Sequence, residues 1–140
     1  MMLPAYAELH ALSNFSFQRG ASHAEELVER AAALGYSAIA ITDECSVAAV
    51  VRAHGEAKKH GLQLMPGAEF LVQCTSPFRL IVLPHNAEGW GNLCEFITQV
   101  KVAGDVLEKG SYLVTLASDL SILRDCEIIF CHYCNYYQNQ

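Results

Sequence analysis

Ala38-Ile39-Ala40-Ile41 is an unbroken apolar run between Gly35 and the acidic pair Asp43-Glu44. A strand that is apolar on both faces of its pleat must be covered on both sides, the habit of parallel sheets rather than of half-solvated antiparallel ones. The segments on either side carry helical spacing. Before the run, Ser22-His23-Ala24-Glu25 has the form of a capping box, with Ser22 placed to accept from the Glu25 amide. Leu27, Ala31 and Leu34 follow at helical intervals, and Gly35 stands where a left-handed residue closes a helix. After the run, Val47, Val50, Val51 and His54 mark a second helix that stops at Gly61.

The same alternation runs through most of the chain. Leu3 to Leu12 reads as an opening strand, and Leu62–Met65 and Ala68–Val72 as two strands parted by Pro66-Gly67. Arg79–Leu83 is a further strand, and Asn86 caps a third helix through Trp90, Leu93, Ile97 and Val100. Tyr112–Leu116 reads as a strand, Ser118–Leu123 as a short helix and Cys126–Phe130 as a last strand. Strands alternating with helices predict an α/β fold of right-handed, mostly parallel βαβ units. The result is an open sheet or part of a barrel, since a closed (β/α) barrel needs ~200 residues or more and this chain has 140. Residues 1–130 therefore form one domain, truncated as barrels go, and residues 131–140, CHYCNYYQNQ, read as a frayed or non-native tail.

Composition removes several functional classes. Nine basic residues against fifteen acidic ones give a net charge of −6, which leaves no footprint for a phosphate backbone. Charged residues make up 17%, below the ~25% of an ordinary soluble domain, so part of the surface is expected to be covered. No apolar run reaches the ~18 residues of a membrane span, and the opening MMLPAYAELH lacks the basic and apolar regions of a secretory signal. The expected compartment is a reducing cytoplasm, with Cys45, Cys74, Cys94 and Cys126 acting as small buried hydrophobes. Cys131 and Cys134 form a single C-x-x-C, a weak zinc signal without a second pair. Neither a phosphate-binding G-x-x-x-x-G-K-[ST] loop nor a G-x-G-x-x-G fingerprint is present.

Chemistry in α/β sheets gathers at the carboxyl ends of strands. His10, Asp43, Glu44 and Glu69 each stand just after an apolar strand. Imidazole and carboxylates on one rim could hold zinc, manganese or iron. Alternatively, Asp43 and Glu44 cap the following helix, where negative charge meets the helix dipole.

Four segments carry a family resemblance: ELHALSNFSFQRGAS, AIAITDECSVAAVVRAH, PGAEF and RLIVLPHNAEGWGNL. In order and at natural spacing, they resemble the PHP (polymerase and histidinol phosphatase) domain. The likeness is closest to the N-terminal PHP domain of bacterial C-family DNA polymerases of the error-prone, damage-inducible type. It implies a distorted (β/α) barrel, here partial, whose rim carries up to three metals in hydrolytic members. Placed on this sequence, the family's opening His-x-His falls on His10 and Leu12, and the acid of the next segment on Arg19. The His of its T-D-H motif falls on Glu44 beside a retained Asp43, the glutamate after the third strand is Glu69, and a later ligand His falls on Arg79. His85 lies beyond, where the family uses no metal ligand. Leucine donates no lone pair and arginine is a permanent cation. The resemblance therefore implies residual positions His10, Asp43 and Glu69, replaced positions Leu12, Arg19, Glu44 and Arg79, and no resident metal. Two guanidinium groups are expected to pair with Glu44 and Glu69 instead.

The functional expectation is a PHP-domain portion of a DNA-directed DNA polymerase acting in translesion synthesis and damage-induced mutagenesis. The parent would use magnesium held by palm aspartates outside this chain, leaving the fragment an inactive scaffold with no catalytic residue. Its partners would be the rest of the polymerase chain, DNA through the full enzyme, and, by resemblance, the sliding clamp and mutagenesis accessory proteins. The alternatives are a metal-dependent PHP phosphoesterase and a stand-alone interaction module.

Overall fold

The computed structural model describes residues 5–103, 112–115 and 119–132. In chain order these form β1 (Ala7–Ala11), α1 (Ala24–Ala33), β2 (Ala38–Glu44), α2 (Val50–His60), β3 (Gln63–Gln73), β4 (Phe78–Pro84), α3 (Ala87–Ala103), β5 (Leu113–Thr115), a 3₁₀ turn (Leu120–Ile122) and β6 (Cys126–His132). One sheet runs β1-β2-β3-β4-β6, with β5 also paired to β3.

β1, β2 and β3 are parallel and are joined in turn by α1 and α2. β4 runs against both β3 and β6, because only the short segment 74–77 joins it to β3 and a parallel return needs a crossover of a dozen residues or more. β5 pairs with Leu71–Gln73 of β3 just beyond the point where β2 ends opposite Glu69. It thus extends the β3 edge that β2 leaves, and the sheet splits there.

Side-chain alternation divides the core. Ile39 and Ile41 of β2 point to α1 and α2, where Ala24, Val28 and Ala31 face Ala49, Ala53 and Ala57. Phe70, Val72, Leu80 and Val82 point to α3 and its Leu93, Phe96, Ile97 and Val100. The opposite face buries Ala40, Ile81 and Leu83 with strand residues Met65, Ile129 and Cys131. A sheet that buries side chains between its own strands is curled, as in part of a barrel.

Several local expectations shift. The cap of α1 is His23, not Ser22: the Glu26 carboxylate accepts from the His23 amide at 2.8 Å, while the Ser22 carbonyl accepts from the Asn14 amide. Leu34 and Val51, apolar members of the two helical patterns, are exposed, because Val28 and the alanines fill the α1–α2 contact. Gly35 and Gly61 do take left-handed φ values of 74° and 63°, and the Asn86 side chain accepts from the Gly89 amide at 2.9 Å at the start of α3. Pro66-Gly67 does not divide β3. Pairing with β4 begins only at Ala68, so Pro66 sits where a strand tolerates a missing N–H. A Cβ on Gly67 would lie 2.6 Å from the Val82 carbonyl oxygen, so glycine lets β4 approach. The last strand continues past Phe130 to His132, and Cys134 of the C-x-x-C lies outside the described residues, as do Leu3, Leu116 and Ser118. No helix among the described residues is long and apolar enough to cross a membrane.

Candidate functional site

β1 and β2 end at one rim of the sheet, beside Glu69 within β3. Parallel register places Glu44 opposite Glu69, so the two carboxylates leave the same face side by side. Arg79 stands two residues before Ile81, the antiparallel partner of Glu69, and period-two alternation brings it to that face as well. His10 arrives from β1, and Arg19 from the loop after it.

Glu69 is the hub and is fully buried. Its Oε2 accepts from His10 Nε2 at 2.7 Å; a carboxylate only accepts, so Nε2 carries the proton. Arg19 Nη1 and Arg79 Nη1 both donate to Glu69 Oε1, and Arg19 Nη1 also donates to Glu44 Oε2 at 3.0 Å. Burial alone raises the Glu69 carboxyl, but the hydrogen bonds from His10 and Arg19 and the charges of Arg19 and Arg79 outweigh it and bring the pKa down to about 2. Burial likewise disfavours the Arg19 cation, and Glu69 and Glu44 more than compensate, so its pKa rises above the ordinary value. The Arg19 and Arg79 side chains are 28% and 15% exposed, so water reaches their outer edges while the carboxylates stay covered.

Asp43 takes a different part. Although buried beside Glu44, it makes no ion pair among the described contacts. Instead it accepts from the Ser13 amide, the Ser13 hydroxyl and the Ser16 hydroxyl, each at 2.7 Å. Ser16 Oγ in turn accepts from the Glu44 amide at 3.0 Å. Sequence reasoning missed both serines; their three-residue spacing inside ALSNFSF was the available signal. The helix-cap reading of Asp43 and Glu44 fails, because α2 begins at Val50 behind Ala49. Leu12 is half-buried just past β1 and offers no polar side-chain atom. His85 lies apart, 3.4 Å from Glu127.

Immediately after Glu44 the chain turns through Cys45 at φ 47°, and the Cys45 amide donates to the Glu69 carbonyl at 2.8 Å. Burial pushes the Cys45 thiol up to about 11, which removes it as a nucleophile at neutral pH. No group of three or more His, Cys, Asp or Glu poised for a metal ion occurs among the described residues.

The PHP domain family matches residues 8–133. The chain belongs to that family. It is 52% identical over 122 residues to an error-prone DNA polymerase of Ralstonia nicotianae, covering 85% of this chain and 11% of that one. Similar polymerases of Dechloromonas aromatica and Pseudomonas aeruginosa are 55% and 53% identical over 112 and 110 residues, covering 80% and 79% of this chain. The PHP chain thus spans about a tenth of the length of these curated relatives, within their N-terminal region. Among solved structures, a Bifidobacterium adolescentis protein assigned as a metal-dependent phosphoesterase superposes with a TM-score of 0.59 at 22% identity, over 71% of this chain and 35% of that one. An amidohydrolase from Chromobacterium violaceum gives 0.59 at 25%, over 71% and 34%. The mixed α/β sheet is therefore that of a partial PHP-type barrel.

Proposed function

We propose that this PHP domain serves as scaffold in an error-prone DNA polymerase, with its ancestral metal rim converted into an ion-pair cluster. The polymerase would extend primers across damaged templates in the cytoplasm, through nucleotidyl transfer at a magnesium site outside these residues. DNA, the sliding clamp and mutagenesis accessory proteins would be met through that longer chain. The 140 residues alone would not polymerise DNA.

The observation that carries this reading is the pair of guanidinium groups on Glu69. Two fixed positive charges stand where a divalent cation would need negative ones, and the oxygen donors of Glu69, Glu44 and Asp43 already accept hydrogen bonds from Arg79, Arg19 and the two serines. A divalent metal does not fit this donor set. The phosphoesterase reading, which needs such a metal, is the weaker one.

Calorimetric titration of the chain with manganese and zinc, together with a chromogenic phosphate ester assay, tests the conversion. The expected result is no stoichiometric binding at the rim and no manganese-dependent hydrolysis. Tight one-to-one binding that disappears in Glu69→Gln would overturn it.

A further inference from the structure

The loop between β1 and α1 has two opposed sides. Ser13, Ser16 and Arg19, spaced by three, all turn inward: the serines fasten to Asp43 and Glu44, and Arg19 to Glu44 and Glu69. The backbone closes on itself through Ser16 and Arg19 amides to the Ser13 and Ser16 carbonyls, both at 3.0 Å, and the Asn14 amide to the Ser22 carbonyl at 2.8 Å. Gly20 lies so close to the Ser13 carbonyl that any Cβ there would collide with it. The loop is thus a strap held at three points along its length. Its outward side chains are Phe15 and Phe17, 45% and 49% exposed, beside the exposed and uncharged Asn14 and Gln18.

We propose that Phe15 and Phe17 form a docking pair that seats against an apolar surface on the remainder of the longer polymerase chain. This rests on the scaffold reading above and deepens it by naming the contact surface. Large exposed aromatics are costly in water and are the usual anchors of interfaces. A strap that is already ordered loses little conformational freedom on docking, so more of the burial energy appears as affinity. The occupant follows from chain length and charge. Some nine-tenths of each relative lies outside the matched region, and the uncharged flanks of the two rings suit an apolar, uncharged counterpart rather than DNA.

The test grafts residues 1–140 in place of the matched region of the Ralstonia nicotianae polymerase and measures hydroxyl-radical oxidation of Phe15 and Phe17. Oxidation of both rings is expected to fall at least fivefold in the graft relative to the isolated chain, and Phe15→Ser is expected to lower the melting temperature of the graft but not that of the isolated chain. Equal oxidation in both settings would overturn the docking pair. If the graft fails to fold, a photo-crosslinking phenylalanine at position 15 of the isolated chain, mixed with the polymerase lacking its matched region, replaces it. Crosslinks to the polymerase support the proposal; crosslinks between copies of this chain alone, or none, overturn it. Deleting residues 1–140 from the graft separates the two readings. A deletion that leaves polymerase stability intact refutes the scaffold, whereas a damaging deletion with unchanged Phe15 and Phe17 oxidation refutes only the docking pair.

Discussion

Glutamine at position 69 is nearly isosteric with the native glutamate but cannot balance two guanidinium groups. In the native protein the Glu69 carboxyl is held at about 2 against an ordinary 4.5. At ~1.36 kcal/mol per pH unit, the ionised form contributes about 3 kcal/mol to folding. The low end of the ~3–5 kcal/mol range for breaking a buried pair agrees, and it suits a site where both arginines keep some contact with water. In a domain of this size, Glu69→Gln should lower the melting temperature by roughly 10 °C at pH 7. The pH dependence has a definite sign. A depressed carboxyl pKa gives stability that is fully present above the unfolded value and is lost as pH falls through the folded one. Urea titrations of both proteins at several pH values should therefore show a gap of about 3 kcal/mol at pH 7 that narrows from about pH 4.5 downward, to below about 1 kcal/mol at pH 2.5. A gap under about 1 kcal/mol at pH 7, or one that stays constant through the acid range, would refute the ion-pair account of Glu69.

Three further outcomes follow from the same geometry. Ser16→Ala removes a donor from buried Asp43 and an acceptor from the Glu44 amide, and should cost roughly 1–3 kcal/mol in urea titration; a loss within about 0.5 kcal/mol, the range of an ordinary surface change, would mean that water replaces the serine at no penalty. Gly20→Ala forces a Cβ onto the Ser13 carbonyl, so the strap should shift at a cost of roughly 1–3 kcal/mol and trypsin should cut faster after Arg19, whereas unchanged cleavage would show that the strap has room. Cys45, with its thiol pushed up to about 11 by burial, should resist a disulfide-forming thiol reagent at pH 8 until urea unfolds the chain; labelling at the rate of an exposed cysteine would contradict its burial.

The elements that short-range chemistry specifies were legible. Ala38–Ile41 is buried along its whole length in the parallel part of the sheet, Gly35 and Gly61 close their helices with left-handed φ, and Asn86 caps α3. Errors arose where neighbours in space override neighbours in sequence. Pro66-Gly67 carries a turn signature, yet β4 needs a close approach at Gly67 and begins pairing beyond Pro66. Val51 has the right character for a core position, yet the narrow α1–α2 contact takes alanine and turns the valine to water.

Within the rim, positions after apolar strands name His10, Asp43, Glu44 and Glu69, and the family resemblance adds Arg19 and Arg79. What only the folded chain decides is who meets whom. Glu69 collects partners 59, 50 and 10 residues away, and Asp43 turns from its acidic neighbour to serines 27 and 30 residues earlier. Side-chain type sets which charges a chain must satisfy, and it travels with the sequence. Distance and burial set which of them are satisfied together, and these exist only once β1, β2, β3 and the strap have been brought to one edge of the sheet.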